Sequence, residues 1–232
     1  MTVQCYVIYE IKRNGDGIMM EYTNKYWKML MPYVKKSLIK RYGKEETQKL
    51  IEKTNIEYRE MLRRADDVGA DNPMASNIYE CLVLLAVWKA ADGKISVDDL
   101  RAISLDVMST PILKLAGVLI NGNKKSGINR LRNMMLKNAA WLEKHPQYKK
   151  TSWDFNFDDT KHKDGFYYHF TKCPLNDFAR KEGYLEVLPV MCDIDHLTAK
   201  LMHLTLHREQ TLAGGGEICD YWFVGDQVKN PR

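Results

Sequence analysis

The stretch that decides the fold runs from Gly165 to Gly225 and reads GFYYHFTKCPLNDFARKEGYLEVLPVMCDIDHLTAKLMHLTLHREQTLAGGGEICDYWFVG. It holds three of the five cysteines, four of the six histidines and the chain's run of three glycines. Alternating side chains over 166–172 predict a strand with Phe166, Tyr168 and Phe170 on one face. Pro174 then favours the start of a short helix that ends near Gly183.

The rest of this stretch predicts a second helix and two more strands. Asp193 or Asp195 is suited to cap a helix that continues through Met202. The segment 204–212 and the segment 218–224 have the composition of strands, and the three glycines between them permit a tight connection.

Pairing of the first and last strands would bring the cysteines together. If 166–172 and 218–224 pair antiparallel, the end of one lies beside the start of the other, and Cys173 and Cys219 occupy these two ends. Cys192 would precede a helix, whose N-terminal partial charge favours a thiolate. The topology therefore predicts three thiols at one rim of the sheet, with these carboxylates nearby: Asp193, Asp195 and Asp220.

Three interpretations of these cysteines are possible. Cys173, Cys192 and Cys219, completed by a carboxylate or histidine, could hold zinc tetrahedrally. Alternatively, one cysteine could act as a nucleophile while Asp195 or a histidine, His169 or His196, exchanges protons. A third interpretation is that the three cysteines are simply buried and unlinked. We interpret His203 and His207 as part of a strand face.

The chain before residue 146 is predicted to be mainly helical. Segments 19–42, 45–64, 76–91 and 128–144 carry apolar residues at helical spacing, and Pro32 should kink the first or open another helix. The third segment is apolar nearly all round and should be the central core helix, with Cys81 as an inert core residue. Weaker signals predict a short strand or an ordered tail over 3–11, a capping box from Ser96 to Asp99 and a helix from Pro111.

These patterns predict a single α+β domain over residues 1–232. A mainly helical part, 1–145, packs on an antiparallel sheet in the mixed part, 146–232, which carries the candidate site. The net charge of +5 is mild and dispersed, which argues against a nucleic-acid partner. The most apolar stretch, 78–91, is too short to cross a membrane. The N-terminal residues lack the features of a secretory signal, so we expect a cytoplasmic protein whose cysteines are free, catalytic or metal-bound.

Three separated motifs also resemble a known family. They are Cys173-Pro174, the run LEVLPVMCDID with Cys192 and Asp195, and TLAGGGEICDYWF with Gly216, Cys219 and Asp220. Together they resemble the L-2-amino-thiazoline-4-carboxylic acid hydrolase family over roughly the last 80 residues, whereas the helical half is similar only in general style.

The resemblance implies a hydrolase that opens a small cyclic amidine with water to give a carbamoyl-cysteine. It implies a small-molecule substrate and a site built from Cys173, Cys192, Asp195, Cys219 and Asp220. A base such as Asp195 or a thiol-bound zinc would activate the water. Candidates to hold the substrate carboxylate are His169, Arg180 and Arg208.

Two other functions remain open at this stage. The chain could be a non-enzymatic small-molecule or metal-binding sensor whose pocket is lined by Trp153, Tyr167 and Tyr168. It could also be a structural or partner-binding protein with core cysteines. The sequence leaves room for a homo-oligomer and does not set the oligomeric state.

Overall fold

A computed structural model of the chain describes residues 20–109 and 120–232. Within these ranges, helices occupy most of the N-terminal part and a four-stranded antiparallel sheet lies in the C-terminal part, which confirms the predicted α+β class. The strand predicted over 3–11 and the helix predicted from Pro111 lie outside the described residues.

The helices and strands have the following bounds. The helices are α1 (Asn24–Tyr42), α2 (Lys44–Arg64), α3 (Ala75–Ala90), α4 (Val97–Met108), α5 (Lys125–Lys144), α6 (Pro174–Glu182) and α7 (Leu188–Leu201), with a 3-10 turn at Pro146–Tyr148. The strands are β1 (Asn156–Phe157), β2 (Phe166–Phe170), β3 (Leu204–His207) and β4 (Cys219–Gly225). None of the helices within the described ranges is long and apolar enough to cross a membrane.

Helix α3 is the centre of the helical layer. It contacts α1, α2, α4 and α6, and Leu82, Leu85 and Val87 on different sides of it are fully buried. This confirms the prediction of a central core helix from a segment that is apolar nearly all round. Helix α1 runs through Pro32 as one element, so no second helix opens there.

Helix α4 begins with the predicted capping box. The Ser96 side chain accepts a hydrogen bond from the Asp99 backbone N–H, and the Asp99 side chain accepts one from the Ser96 backbone N–H. Both bonds satisfy donors that the first turn of a helix leaves free. The cap fixes the start of a helix that then packs against both α1 and α7.

The sheet has the strand order β1-β2-β4-β3 with all neighbours antiparallel. Phe170 pairs with Cys219 and Phe166 pairs with Phe223, so the end of β2 lies beside the start of β4 as predicted. Just before β2, Gly165 has φ +82°, and a Cβ atom there would lie 2.0 Å from the Phe223 carbonyl oxygen. A glycine is therefore required where β2 enters the sheet.

Two predicted boundaries in the C-terminal part are wrong. Helix α7 begins at Leu188, which is five residues before Asp193, the first of the two predicted caps. The reason is that Pro189 is favourable in the first turn of a helix and the apolar run continues as helix. Strand β3 ends at His207, whereas the prediction extended it to Leu212. Beyond this point the chain bends around the Asp220 carboxylate, which accepts backbone N–H bonds in place of the strand ladder.

Candidate active site

The three predicted cysteines do meet, at the place where β2, α6, α7 and β4 come together. Cys173 is the N-cap residue of α6, Cys192 lies in α7 and Cys219 is the first residue of β4. Cys219 acts on the pKa of Cys173, and Cys173 and Cys219 both act on the pKa of Cys192, as expected for close neighbours. Cys219 also accepts a hydrogen bond at Sγ from the Leu212 backbone N–H at 3.2 Å.

A fourth cysteine, Cys81 of α3, joins this group. The nearby Glu80 and Asp195 carboxyl groups and the Cys192 and Cys173 thiols all act on the Cys81 pKa, which burial raises. The sequence interpretation of Cys81 as an isolated core residue missed this placement, because the helical spacing of α3 says nothing about which part of the sheet the helix faces. We refer to Cys81, Cys173, Cys192 and Cys219 as the cysteine cluster.

Burial keeps these thiols protonated at neutral pH. It raises the pKa of Cys173 to about 12, although the backbone N–H groups of Leu175 and Asn176 at the start of α6 act in the opposite direction. Burial also raises the pKa of Cys192 and of Cys219. Cys192 lies within α7, so the sequence argument that a helix N-terminus stabilises its thiolate is wrong. Cys173 is the cysteine at a helix start.

The charged centre of the site is the pair Asp195–Arg208. Arg208 Nη2 donates to Asp195 Oδ2 at 2.8 Å, and the Arg208 side chain is only 5% exposed while that of Asp195 is 38% exposed. The same guanidinium donates from Nη1 to the Cys192 carbonyl oxygen and from Nε to the Asp220 carbonyl oxygen, each at 3.1 Å. Arg208 therefore ties α7 to β4 and fixes one oxygen of Asp195.

Tyr221 of β4 is a second partner of Asp195. Its hydroxyl donates to the same oxygen, Asp195 Oδ2, at 3.1 Å, and its ring lies 4.2 Å below the Arg208 guanidinium carbon. Tyr168 of β2 stacks on Tyr221 with 4.8 Å between ring centroids. Burial raises the pKa of both phenols, so both stay neutral. No hydrogen bond from the described residues reaches the other carboxylate oxygen, Asp195 Oδ1.

Asp220 and His169 lie on the opposite face of the sheet from the cysteine cluster. They are directly paired across β2 and β4. The Asp220 carboxylate is buried and accepts from the backbone N–H groups of Glu209 at 2.9 Å and Gln210 at 2.8 Å. His169 Nδ1 is buried with no hydrogen-bond partner in the described part of the chain. The structure thus separates Asp220 from its sequence neighbour Cys219, because successive strand residues face opposite ways.

The remaining sequence candidates are dispersed. Arg180 is exposed on α6, and Arg208 is committed to Asp195 and two carbonyl oxygens. His196 is exposed on α7, and Asp193 forms an ion pair with Arg101 at 3.0 Å. Tyr221 was missed as a partner of Asp195, although its alternation with Cys219 along one face of β4 would have indicated it.

The cysteine cluster does not have the arrangement of a metal site. Over residues 20–109 and 120–232, no group of three or more His, Cys, Asp or Glu residues is placed so that it could hold a metal ion. Zinc bound by Cys173, Cys192 and Cys219 is a prediction of the sequence that this placement does not support.

Comparison with known proteins identifies a family. A family model described as L-2-amino-thiazoline-4-carboxylic acid hydrolase matches residues 76–223, which is more than half of the chain. The matched range contains the cysteine cluster, Asp195, Arg208 and Tyr221. Neither the curated proteins nor the solved structures gave a match.

Proposed function

The chain belongs to the L-2-amino-thiazoline-4-carboxylic acid hydrolase family, and we propose that it opens a small cyclic amidine of this type with water. Water adds to the ring carbon that is bonded to sulfur and two nitrogens. The carbon–nitrogen bond of the ring then breaks, the added oxygen becomes a carbonyl and the released nitrogen leaves as an amine. The product is a carbamoyl-cysteine that contains every atom of the substrate and of one water molecule.

The observation that carries this proposal is the unequal use of the two Asp195 oxygens. Oδ2 is held by Arg208 at 2.8 Å and by Tyr221 at 3.1 Å, which orients the carboxylate. Oδ1 receives no hydrogen bond from the described residues, and the side chain is partly exposed. An oriented carboxylate with one free oxygen is suited to accept a proton from water as it attacks.

The neutral thiols complete the proposed chemistry. A protonated cysteine is a weak hydrogen-bond donor, and Cys192 lies one helical turn before Asp195 on α7. We assign Cys192 and its neighbours Cys173 and Cys219 to contact with the substrate ring, and Asp195 to proton transfer from water to the departing nitrogen. Arg208 is a positioning residue for Asp195. His169, Arg180 and Asp220 stay predictions, the first two as ligands of the substrate carboxylate.

The decisive experiment compares Asp195→Asn with Asp193→Asn. Loss of the base should lower kcat for 2-amino-thiazoline-4-carboxylate by about a hundredfold or more, because general bases contribute rate factors of about 10² to 10⁴. Asp193 is exposed on the same helix and serves as the matched control, so its variant should keep wild-type turnover. Product release is followed by mass spectrometry in ¹⁸O-labelled water, which should place one labelled oxygen in the carbamoyl group.

Three results would count against the proposal. Wild-type protein that binds the thiazoline without turning it over would favour the sensor interpretation. Equal activity of Asp195→Asn and wild type would remove Asp195 from the reaction. Stoichiometric zinc in protein purified without a histidine tag, lost in Cys192→Ser, would assign water activation to a metal instead.

A further inference from the structure

We call the face of the sheet with Asp220 and Trp222, opposite the cysteine cluster, the outer face. It carries a groove that the proposed reaction does not use. The groove encloses about 370 Å³ at the β3 edge, next to the loop that precedes β2. We call it the histidine groove and define it by Lys161, His162, His207, Arg208, Glu209 and Trp222, all of which line it. A volume of several hundred Å³ is ordinary for a small-molecule site. Arg208 lines the groove and also holds Asp195, so the groove borders the candidate active site.

Two opposite charges face this groove without an ion-pair partner in the described part of the chain. Lys161 Nζ donates to the Tyr167 hydroxyl at 2.9 Å and lies 4.2 Å from the centre of that ring, which fixes the ammonium group in place. Glu209 is exposed, and its side chain makes no hydrogen bond with the described residues. Lys161 and Glu209 are close enough for Glu209 to act on the Lys161 ammonium. The neighbouring Asp220 carboxylate already accepts two backbone N–H bonds.

Aromatic rings line one wall of the groove. The His162 ring lies parallel to Trp222, with 3.7 Å between centroids and 6° between planes. His207 lies on β3 directly opposite Trp222, with 4.7 Å between the ring centroids. The indole N–H donates to the Asp164 carbonyl oxygen at 2.8 Å, which fixes the orientation of Trp222. The wall is therefore held in place before any ligand arrives.

We propose that the histidine groove is a second binding site, for a small zwitterion with one carboxylate and one cationic nitrogen. The carboxylate pairs with Lys161, and the cationic nitrogen pairs with Glu209. The body of the ligand lies against Trp222 and His162, which favour flat or apolar groups. Two sources share this chemistry: the protonated amidine carboxylate that the family name describes, and a free α-amino acid.

The test follows the indole N–H resonance of Trp222 by NMR, assigned with Trp222→Phe, while ligands are titrated. The zwitterionic probes are 2-amino-thiazoline-4-carboxylate and S-methyl-L-cysteine, and the singly charged probes are 2-amino-thiazoline and acetate. Zwitterions should shift the resonance at concentrations at least tenfold below those of the singly charged probes, because each lost charge-assisted bond costs about tenfold in affinity. If 2-amino-thiazoline-4-carboxylate binds and S-methyl-L-cysteine does not, the ligand is of the substrate type. If both of these zwitterions bind, the site also accepts free amino acids.

The variants Lys161→Met and Glu209→Gln should each weaken zwitterion binding by about tenfold. The matched controls Lys163→Met and Glu217→Gln remove exposed charges that do not line the groove, and they should stay within about twofold of wild type. All four positions are exposed, and the remaining indole resonances report whether each variant is folded. An unmoved Trp222 signal, or wild-type binding in both groove variants, would overturn the proposal. Turnover measured on the same samples tests the proposed hydrolysis independently.

Discussion

The two faces of the sheet are built from alternate residues of the same strands and have different chemistry. The inner face is the one with Cys219 and Tyr221. Here Tyr221 contacts Asp195 of α7, and Asp195 pairs with the buried Arg208 close to the neutral thiols. On the outer face, Asp220 and Trp222 border the histidine groove, in which Lys161 and Glu209 have no ion-pair partner among residues 20–109 and 120–232. The inner face has the water-poor environment that strengthens electrostatics for catalysis, and the outer face has the exposure that suits reversible binding.

The largest expected effect is the low reactivity of the thiols on the inner face. At pH 7, iodoacetamide should alkylate Cys173 about a hundredfold more slowly than a free peptide thiol. The reason is that a pKa of about 12 leaves very little thiolate, and the higher nucleophilicity of that thiolate compensates only in part. The measurement is site-resolved mass spectrometry over a time course.

The same protein in guanidinium chloride is the control for this experiment, since unfolding should bring all cysteines to the peptide rate. The folded rate should rise about tenfold per pH unit from pH 7 to pH 9, with no plateau near pH 8.5. Fast alkylation of Cys173 or Cys192 at pH 7 would contradict the neutral state of these thiols, because the inner face would then contain an activated nucleophile.

The next effect concerns stability. Arg208→Met leaves Asp195 without its charge partner and frees the Cys192 and Asp220 carbonyl oxygens, so we expect it to lower the free energy of unfolding by about 2 kcal/mol. This value is below that of a fully buried pair because the Asp195 side chain is 38% exposed. Urea denaturation measures the change.

Arg101→Met is the matched control. Its partners Asp193 and Asp98 are 52% and 92% exposed, so removal of this arginine should cost less than about 1 kcal/mol. Equal costs for the two variants would mean that the inner-face ion pair is no more protected from solvent than a surface pair.

The smallest effect separates the two aspartates that the sequence grouped together. Asp220→Asn weakens the bonds from the Glu209 and Gln210 N–H groups and should cost about 1 kcal/mol in unfolding free energy. Turnover per folded molecule should stay within about fivefold of wild type, since a carboxylate that only holds the loop after β3 does not transfer protons in the reaction. A folded Asp220→Asn variant with no activity would instead make the outer face part of the catalytic site.

Much of the architecture was predictable because it rests on local patterns. Helix α3 is apolar nearly all round, the Ser96–Asp99 cap is a short-range motif, and alternation over Phe166–Phe170 gave the correct strand. The antiparallel pairing of β2 and β4, which the sequence analysis assumed, is present and puts Cys219 opposite Phe170. The start of α7 was missed because an aspartate can cap a helix or lie within one, and only the packing of the preceding apolar turn distinguishes the two.

By itself, the sequence predicted most of the elements and, on an assumed strand pairing, that Cys173, Cys192 and Cys219 lie near one another. The tertiary structure decided what these residues do. It placed Cys81 with the other thiols, gave Asp195 a buried arginine, and brought the backbone N–H groups of Glu209 and Gln210 to the Asp220 carboxylate. The physical reason is range: periodicity and capping act within one or two turns of chain, whereas pKa values and ion pairs depend on burial and on neighbours that are distant in sequence.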